Sequence, residues 1–330
     1  MGNRWGGQTL AGGALKNLGR RRTVVFAVLF SLALVTPMAF GVGDAGAQRN
    51  KSGLAASDLV TGLEGCEVAA RAPQPNNPPI VTPLTGVMID YSTPHEFAAS
   101  ATDSDGDALR YSWSFGDGSQ LVVGNPVTHT YSLPGVYTFT VYVDDSNQNN
   151  VSSSATASIT FPLKLKVGWN LISVPVVGNH YRASTMGLGS VGCIVRFDSA
   201  SRTYRKYQLG IPFTDFAILP GEGYWIYAAS AKTLHLYGTV PTETQIVTIT
   251  VPVGGGWALI GFATLKTTLK GSDVPGMYDP IGSVILVVAY RDPGYIVLVF
   301  PSPIPKDFPL VPGEGYWMYV SSSGTITYDP

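Results

Sequence analysis

The sequence predicts an all-β protein, made of one antiparallel β-sandwich followed by two β-rich modules that repeat each other. Three observations support this fold class. Gly and Pro, with 38 and 24 copies, form about a fifth of the chain, well above their average share of about 12%. Short segments alternate between apolar and polar residues, and two of the later motifs occur twice.

Composition excludes two broad classes of protein. Hydrophobic residues make up 45% of the chain and charged residues only 13%, which provides enough apolar material for folded cores and too little charge for general disorder. The formal net charge of -1 leaves no basic excess for holding a polyanion, so nucleic acid is not an expected partner.

The N-terminal residues predict export. Three arginines, Arg20–Arg22, precede an apolar run over residues 23–40, and the small residues Ala45, Gly46 and Ala47 follow. This order is typical of a secretory signal peptide, here residues 1–47 with cleavage after Ala47. An uncleaved anchor is the alternative, because the apolar run is at the lower edge of membrane-spanning length. We therefore expect an extracellular or cell-surface protein that contacts a membrane only if this segment is retained.

The chain has two cysteines and is therefore not a disulfide scaffold. Cys66 lies in a polar segment, whereas Cys193 lies in an apolar string that favours a small buried side chain. A single bridge between them outside the cell is left open by the sequence.

Residues 48–79 end in the string RAPQPNNPP and predict a flexible, Pro-rich leader. Over residues 80–161 the pattern changes to a period of two, as in YSWSF (111–115), YTFTVYV (137–143) and ATASITF (155–161). Short strands of this kind, separated by turn clusters, predict a sandwich in which each strand buries one face.

Longer motifs in this region carry a family resemblance. The string ATDSDGDALRYSWSFGDGS (101–119) is followed by HTY (129–131) and PGVYTFTVYVDD (134–145). Through these motifs residues 76–161 resemble the PKD domain, an immunoglobulin-like sandwich of cell-surface and secreted proteins. The resemblance implies a spacer, or a module that contacts proteins or carbohydrates, and no enzyme. The sequence departs from the family at Ser114, where members usually have Asp.

We expect structural roles for seven residues of these motifs: Trp113, Phe115, Gly116, Asp117, Gly118, His129 and Tyr131. The two glycines supply the positive φ angles of a tight turn, and the aspartate between them can bond back to turn amides. The tryptophan is expected as the central core residue. The histidine is expected to form structural hydrogen bonds rather than to act in catalysis.

After the sandwich the chain repeats itself. GWNLIS at 168–173 corresponds to the later GGGWALIG at 254–261, and PGEGYWIY at 220–227 to PGEGYWMY at 312–319. These pairs predict two homologous modules, residues 163–244 and 245–330, that differ by small loop insertions. The modules resemble the tandem GWNLIS-type β modules that follow PKD domains in exported archaeal and bacterial surface proteins, which implies surface display. Short helices are favoured only near residues 181–186 and 272–277.

The string DSDGD places Asp103, Asp105 and Asp107 close together in a predicted loop. Alternating carboxylates can supply the oxygen ligands that Ca²⁺ prefers, so a calcium site is one interpretation. A polar turn capped by Asp side chains is the other, because the late Glu and the helical flanks of an EF-hand are missing. No other cofactor is expected.

The repeated PGEGYW motif contains two kinds of candidate residue. Glu222 and Glu314 occupy equivalent places, and two facing carboxylates can hydrolyse glycosides, although duplication of a folding turn also explains the match. The rings that follow could stack on sugars: Tyr224, Trp225, Tyr316 and Trp317. Since neighbours on a strand face opposite ways, we expect one ring of each pair in the core and the other exposed.

The sequence contains no nucleophile elbow, no HExxH motif and no clustered zinc ligands. The resulting interpretation is an exported, non-catalytic protein whose β modules act in display, spacing or adhesion, with surface proteins or glycans as partners. A carbohydrate-binding accessory protein that uses the exposed rings is the alternative. A hydrolase with an unrecognised site is the third interpretation.

Overall fold

The computed structural model describes residues 75–147, 149–186, 191–208, 211–291, 294–301 and 307–330, so the predicted signal peptide, most of the leader and Cys66 lie outside it. Nearly all regular elements of the described chain are strands, which confirms the all-β prediction. Its helices are single turns near the two predicted places and between them: Ala183–Met186 (α1), Val274–Met277 (α2) and the 3₁₀ turns Pro212–Thr214 and Gly271–Asp273. No helix in these ranges has the length and hydropathy needed to span a bilayer.

The first nine strands form an immunoglobulin-like sandwich, as predicted. They are Ile80–Val81 (β1), Val87–Asp90 (β2), His95–Phe97 (β3), Ala101–Thr102 (β4), Arg110–Ser114 (β5), Val122–Val123 (β6), Val127–His129 (β7), Gly135–Asp144 (β8) and Asn150–Leu165 (β9). The main sheet has the order β9-β8-β5-β6, with β2 parallel to β9, while β1 pairs with β4 and β3 with β7. Phe97 of β3 packs against Trp113 and Phe139 of the main sheet, with ring centroids 6.1 and 5.0 Å away.

The sandwich begins earlier than the predicted boundary at residue 80. The side-chain amide of Asn76 donates a hydrogen bond to Asp145 (2.6 Å), and the backbone N–H of Asn77 donates one to Asp105 (2.6 Å). The end of the predicted flexible leader is therefore bound to the sandwich. The reason is that its asparagines find carboxylates on two loops of the domain.

Twelve further strands follow: Gly168–Ser173 (β10), Val191–Asp198 (β11), Thr203–Gln208 (β12), Gly223–Ala228 (β13), Lys232–Leu236 (β14), Gln245–Ile249 (β15), Gly256–Ile260 (β16), Tyr278–Asp279 (β17), Val284–Arg291 (β18), Gly294–Val299 (β19), Tyr316–Val320 (β20) and Gly324–Tyr328 (β21). Eight of them form two four-stranded sheets, of the orders β10-β13-β11-β12 and β16-β20-β18-β19, while β15, β21 and β17 form a third sheet and β14 pairs with β9. We call residues 161–236 module 1 and residues 245–328 module 2. Each has its own hydrophobic core, and their matching strand orders are consistent with the predicted repeat.

Strand β9 belongs to both the sandwich and module 1. Over residues 150–159 it pairs with β8, and over residues 161–165 it pairs with β14. Its residues Ala157 and Ile159 lie in the core of the sandwich, whereas Phe161 and Leu163 lie in the core of module 1. Phe161, the last residue assigned to the sandwich, therefore packs its side chain in module 1, because the strand continues without a break and its inward face passes from one core to the next.

Polar contacts reinforce this junction. The ring nitrogen Nδ1 of His235, on β14, lies 2.7 Å from Oδ1 of Asp90, at the end of β2. The same oxygen accepts a hydrogen bond from the Thr160 hydroxyl at 2.7 Å. Three strands that meet at the junction are therefore joined by side chains as well as by the sheet.

Modules 1 and 2 contact each other through reciprocal backbone hydrogen bonds. The N–H of Ser173 donates to the carbonyl of Gly313 (2.9 Å), and the N–H of Gly261 donates to the carbonyl of Gly221 (3.0 Å). Ser173 ends β10 and Gly261 directly follows the equivalent strand β16, while Gly221 and Gly313 occupy equivalent places in PGEGYW. Contacts in which each partner repeats the other's role define an approximate two-fold relation between the modules.

The second glycine of each PGEG allows this close approach. A Cβ atom on Gly223 would lie 2.8 Å from the carbonyl oxygen of Ile260, and one on Gly315 would lie 2.7 Å from that of Ile172. Both distances are shorter than side-chain carbons tolerate. Only glycine fits at these two places without moving the modules apart.

Candidate functional site

The PGEGYW motif folds back on itself in the same way in both modules. Its first glycines, Gly221 and Gly313, both have a φ angle of +85°, which favours glycine. The hydroxyl of Tyr224 accepts a hydrogen bond from the N–H of Leu219 (2.8 Å), and that of Tyr316 accepts one from the N–H of Val311 (2.6 Å). The tyrosine of each motif therefore anchors the turn that precedes it.

The glutamate of each motif is part of the same arrangement. Glu222 accepts hydrogen bonds from the Arg196 guanidinium and the Tyr224 hydroxyl, both at 2.7 Å. Burial, and then the negative charge of Glu222, raise the pKa of Tyr224. The equivalent partners in module 2 are Glu314, Arg291 and Tyr316. Each carboxylate is held by a cation and a phenol of its own module, which supports the structural interpretation of both.

The two rings of each YW pair face opposite sides of their strand. Tyr224 and Tyr316 are completely buried, so the prediction that they contact a ligand is wrong. The physical reason is that their strands, β13 and β20, turn this face towards the core of the module. Trp225 and Trp317 lie on the other face and are partly exposed. This face carries the candidate site.

The first pocket combines two rings from each module. Trp169 and Trp225 come from module 1, and Tyr290 and Tyr295 come from module 2; together with Val195 they surround about 370 Å³. The two indoles meet edge to face, with centroids 6.4 Å apart and planes at 88°. Tyr290 approaches Trp225 from the other module at 5.2 Å and 67°. The rings therefore line a shallow, open cleft in which they are not coplanar.

The second pocket is built from the equivalent parts with the modules exchanged. Trp257 and Trp317 come from module 2, and Phe197 and Tyr204 come from module 1. The indoles again meet edge to face, at 6.1 Å and 86°, and Phe197 approaches Trp317 at 5.1 Å and 67°. This pocket measures about 580 Å³. Both volumes lie in the range typical of small-molecule sites, roughly 300–1,000 Å³.

Strand register places the central indoles at matching points. Trp225 stands between Leu171 of β10 and Val195 of β11. Trp317 stands between Leu259 of β16 and Val288 of β18. Tyr295 lines both pockets, so the two are neighbours on one surface.

The pockets are accessible, uncharged and contain unpaired donors. Exposed fractions are 46% for Trp169, 38% for Trp257, 61% for Tyr204 and 58% for Tyr295. No charged side chain lines either pocket in the described part of the chain. The four indole N–H groups and the hydroxyls of Tyr204 and Tyr295 make no hydrogen bond to any described residue. Such rings can stack on a ligand and still donate to it.

Sequence reasoning identified only the central indole of each pocket. Trp169 and Trp257 carried a usable signal, since they recur at equivalent places in the repeated GW motifs. Phe197 and Tyr290 also occupy matching places, in IVRFD (194–198) and VVAYR (287–291), but the repeat does not indicate what they contact. They reach the neighbouring module, and a contact of that kind leaves no mark in the spacing of residues.

In the sandwich, the predicted motif residues form one local cluster. The ring of His129 stacks on Phe115 with centroids 3.9 Å apart, and its Nε2 lies 2.8 Å from Oδ2 of Asp117. The Tyr131 hydroxyl donates to the carbonyl of Phe115 (3.1 Å). Burial alone would raise the pKa of Asp117, but hydrogen bonds from Ser119 and His129 hold it below its ordinary value. The turn glycines have φ angles of +73° and +83°, and Trp113 is completely buried.

The predicted calcium ligands are only partly brought together. Asp103, Asp107 and Asp145 each place one carboxylate oxygen within 4.8 Å of the others. Asp105 instead accepts a hydrogen bond from Asn77, so its inclusion in the set is wrong. Asp145 takes the third place in the group instead of Asp105, because the turn between β8 and β9 brings its carboxylate next to Asp103 and Asp107.

The chemistry of this trio is compatible with a divalent cation. Oδ2 of Asp103 is buried and has no hydrogen-bond partner, whereas Oδ1 accepts from the Asp105 N–H at 2.8 Å. Burial alone would raise the pKa of Asp145, but hydrogen bonds from Asn147, Asn149 and Asn76 hold it below its ordinary value. Three carboxylates, one of which has an unpaired buried oxygen, could bind Ca²⁺. Calcium binding stays a prediction.

Cys193 is a buried residue of β11. Burial raises the pKa of its thiol, which makes it a poor nucleophile at neutral pH. Because Cys66 lies outside the described residues, the bridge between them stays a prediction.

Three solved structures show a distant similarity to the chain. One belongs to a study of the promiscuous specificity of carbohydrate-binding modules from the β-sandwich superfamily, with 14% identity, coverage of 77% of this chain and 96% of that one, and a TM-score of 0.24. A three-immunoglobulin-domain variant of titin has 12% identity, coverage of 78% and 98%, and a TM-score of 0.24. SGBP-B of the Bacteroides ovatus mixed-linkage glucan utilization locus, in complex with a heptasaccharide, has 12% identity, coverage of 77% and 62%, and a TM-score of 0.23.

Likeness at this level transfers no ligand or activity to the present chain. No curated protein matches it. Residues 76–161, the first of the three folded regions, match the model of the PKD domain family, as their motifs predicted.

Proposed function

We propose that this chain is a non-catalytic protein of the cell exterior that acts in adhesion. In this proposal modules 1 and 2 make the contact, and the PKD sandwich is the spacer that presents them. The single observation that carries the proposal is the convergence of exposed aromatic rings from both modules into two neighbouring pockets.

A purely structural role does not account for these rings. Four of them are more than a third exposed, although each belongs to a regular sheet with a separate, well-filled core on its other face. Contiguous exposed apolar surface is rare on monomeric proteins and marks interaction sites. Aromatic side chains are also the residues that binding surfaces use most for contact.

The titratable groups support a binding role rather than catalysis. Near the pockets, Glu222 and Glu314 are neutralised by arginines of their own modules. His129 is paired with Asp117 in a turn of the PKD sandwich. Within the described residues, the cluster of three carboxylates also belongs to that sandwich. None of these groups lines either aromatic pocket.

Binding of the full chain to arrays of polysaccharides and extracellular proteins tests the proposal. The wild-type protein should bind, and the double variant Trp225→Ala, Trp317→Ala should lose at least about tenfold in affinity with an unchanged fold by circular dichroism. Phe213→Ala is the matched control, since this ring is 89% exposed and lines neither pocket. Undiminished binding of the double variant contradicts the proposal. Cleavage of the bound partner, measured by mass spectrometry, would contradict its non-catalytic part.

A carbohydrate-binding accessory protein is the second candidate function. The observation in its favour is that the indole N–H groups and the hydroxyls of Tyr204 and Tyr295 make no hydrogen bond to a described residue, around uncharged, ring-lined pockets. On the same arrays, loss of binding confined to polysaccharide spots would select this candidate.

A further inference from the structure

We infer that the two pockets form one bivalent site for a single soluble chain of neutral sugar units, with one sugar ring held in each pocket. This inference rests on the proposed function and names the ligand class and binding mode of the same surface. Three properties of the pockets carry it.

The first property is the angle between the rings. In both pockets the planes of the paired indoles are nearly perpendicular, at 88° and 86°. A third ring from the other module borders the cleft, with its plane at 67° to that of the central indole. A flat row of coplanar rings would match the flat face of an insoluble, crystalline polymer. Perpendicular rings instead contact a single pyranose ring from below and from one side. The geometry therefore favours an isolated chain in solution.

The second property is the chemistry of the lining. A sugar ring presents C–H groups on its faces and hydroxyls at its edge, so it needs an apolar surface with hydrogen-bond donors around it. The pockets supply rings together with the four indole N–H groups and the hydroxyls of Tyr204 and Tyr295, none of which makes a hydrogen bond to a described residue. The hydrocarbon chain of a lipid has no acceptors and would leave these donors unpaired on binding, which carries a free-energy cost. The absence of charge from both linings matches a neutral sugar and not an acidic or sulfated one.

The third property is the relation between the pockets. Tyr295 lines both of them, so one ligand long enough to occupy the first can enter the second without leaving the surface. The approximate two-fold relation presents the pockets to a chain in opposite directions. Stacking tolerates this reversal, since an aromatic face does not distinguish the two directions of a sugar ring. Occupation of the second pocket is then intramolecular and raises the overall affinity.

Each pocket also requires both modules. Trp225 depends on Tyr290 from module 2, and Trp317 depends on Phe197 from module 1. A single module therefore lacks the third ring of its own pocket. The tandem arrangement is what completes the site.

Calorimetric titration of the full chain with neutral oligosaccharides of two to eight units, from the cello, laminari and manno series, tests the inference. Affinity for one series should rise at least about tenfold between the shortest and the longest members. In the single variants Trp225→Ala and Trp317→Ala this rise should disappear, so that long members bind only as tightly as short members. The double variant should not bind, and Phe213→Ala should behave as wild type.

The outcomes separate this inference from the proposed function. Equal affinity for short and long members, or a length dependence that survives in both single variants, overturns bivalent binding while glycan binding stands. Binding to crystalline cellulose without binding to any soluble member overturns the single-chain mode. Binding to a protein partner alone, lost in the double variant, overturns the glycan class and leaves adhesion intact. Binding of any partner that the double variant retains overturns both.

Discussion

The PKD sandwich and the paired modules use the same local pattern, a tryptophan within an alternating strand, for opposite purposes. In the sandwich, Trp113 on β5 is completely buried and stacks against Phe115 and Phe139. In the modules, Trp225 and Trp317 lie on the outer face of their sheets, beside exposed indoles of the neighbouring strands. Alternation alone does not determine which face a tryptophan occupies, because that depends on what covers the sheet.

The difference shows how each region reaches stability. The sandwich covers the tryptophan face of its main sheet with the small β3–β7 sheet, through Phe97. Each module instead covers the tyrosine face of its sheet. Its central tryptophan contacts a ring of the other module, Trp225 with Tyr290 and Trp317 with Phe197. A core residue in one region is thus a surface residue in the other, and substitutions should separate the two roles.

The largest expected effect is that of Trp113→Ala. Truncation of a fully buried tryptophan costs about 3–5 kcal/mol in the free energy of unfolding, because it leaves a cavity as well as lost contacts. Trp225→Ala should cost only about 1 kcal/mol, since it removes ring contacts at a surface. Urea unfolding followed by far-ultraviolet circular dichroism measures both. Equal losses of stability would show that the two tryptophans do not differ in role.

An intermediate effect is expected for Gly315→Ala. The new Cβ would lie 2.7 Å from the carbonyl oxygen of Ile172, so the modules must separate locally, at a cost of about 1–3 kcal/mol. Gly276→Ala is the matched control, because no atom lies within 4 Å of its Cβ position and it sits in the short helix α2. The control should be neutral or slightly stabilising. Thermal unfolding of both variants measures the contrast, and an unchanged melting temperature for Gly315→Ala would contradict the close approach of the modules.

The smallest expected effect concerns the acidic cluster of the sandwich, which has no counterpart in the modules among the described residues. If Asp103, Asp107 and Asp145 bind Ca²⁺, an ion concentration ten times the dissociation constant adds about 1.4 kcal/mol to stability. Asp103→Asn should remove this increase, while Asp105→Asn, outside the cluster, should retain it. Melting curves in calcium and in EDTA provide the measurement. Identical curves for the wild-type protein would remove the site.

Much of the sandwich was predictable because its motif interacts within a short stretch of chain. The contacts of His129 with Asp117 and of Tyr131 with Phe115 join residues that are only 12 and 16 positions apart in the sequence. The same locality allowed the prediction that one ring of each YW pair is buried. Residue pattern and turn chemistry are therefore sufficient to predict contacts between residues that are close in sequence.

The candidate site was predictable only in its central indoles. Its completion depends on contacts such as that between Ser173 and Glu314, which are 141 residues apart. Reciprocal packing of two modules adds no period to the sequence, so the cross-module rings could not be identified. The same limit explains why Asp105 was selected in place of Asp145, since sequence proximity was the available guide.

The unbroken strand β9 has a mechanical consequence. Strand β9 is both the last strand of the sandwich and the first strand of module 1. No linker that could act as a hinge therefore separates these two regions. In the proposed adhesive role, a pulling force applied at the pockets would pass along this strand. The backbone hydrogen bonds of β9 with β8 and with β14 would resist it in shear, one set on each side of the junction. In that role, the shared strand would hold module 1 at a fixed angle to the sandwich.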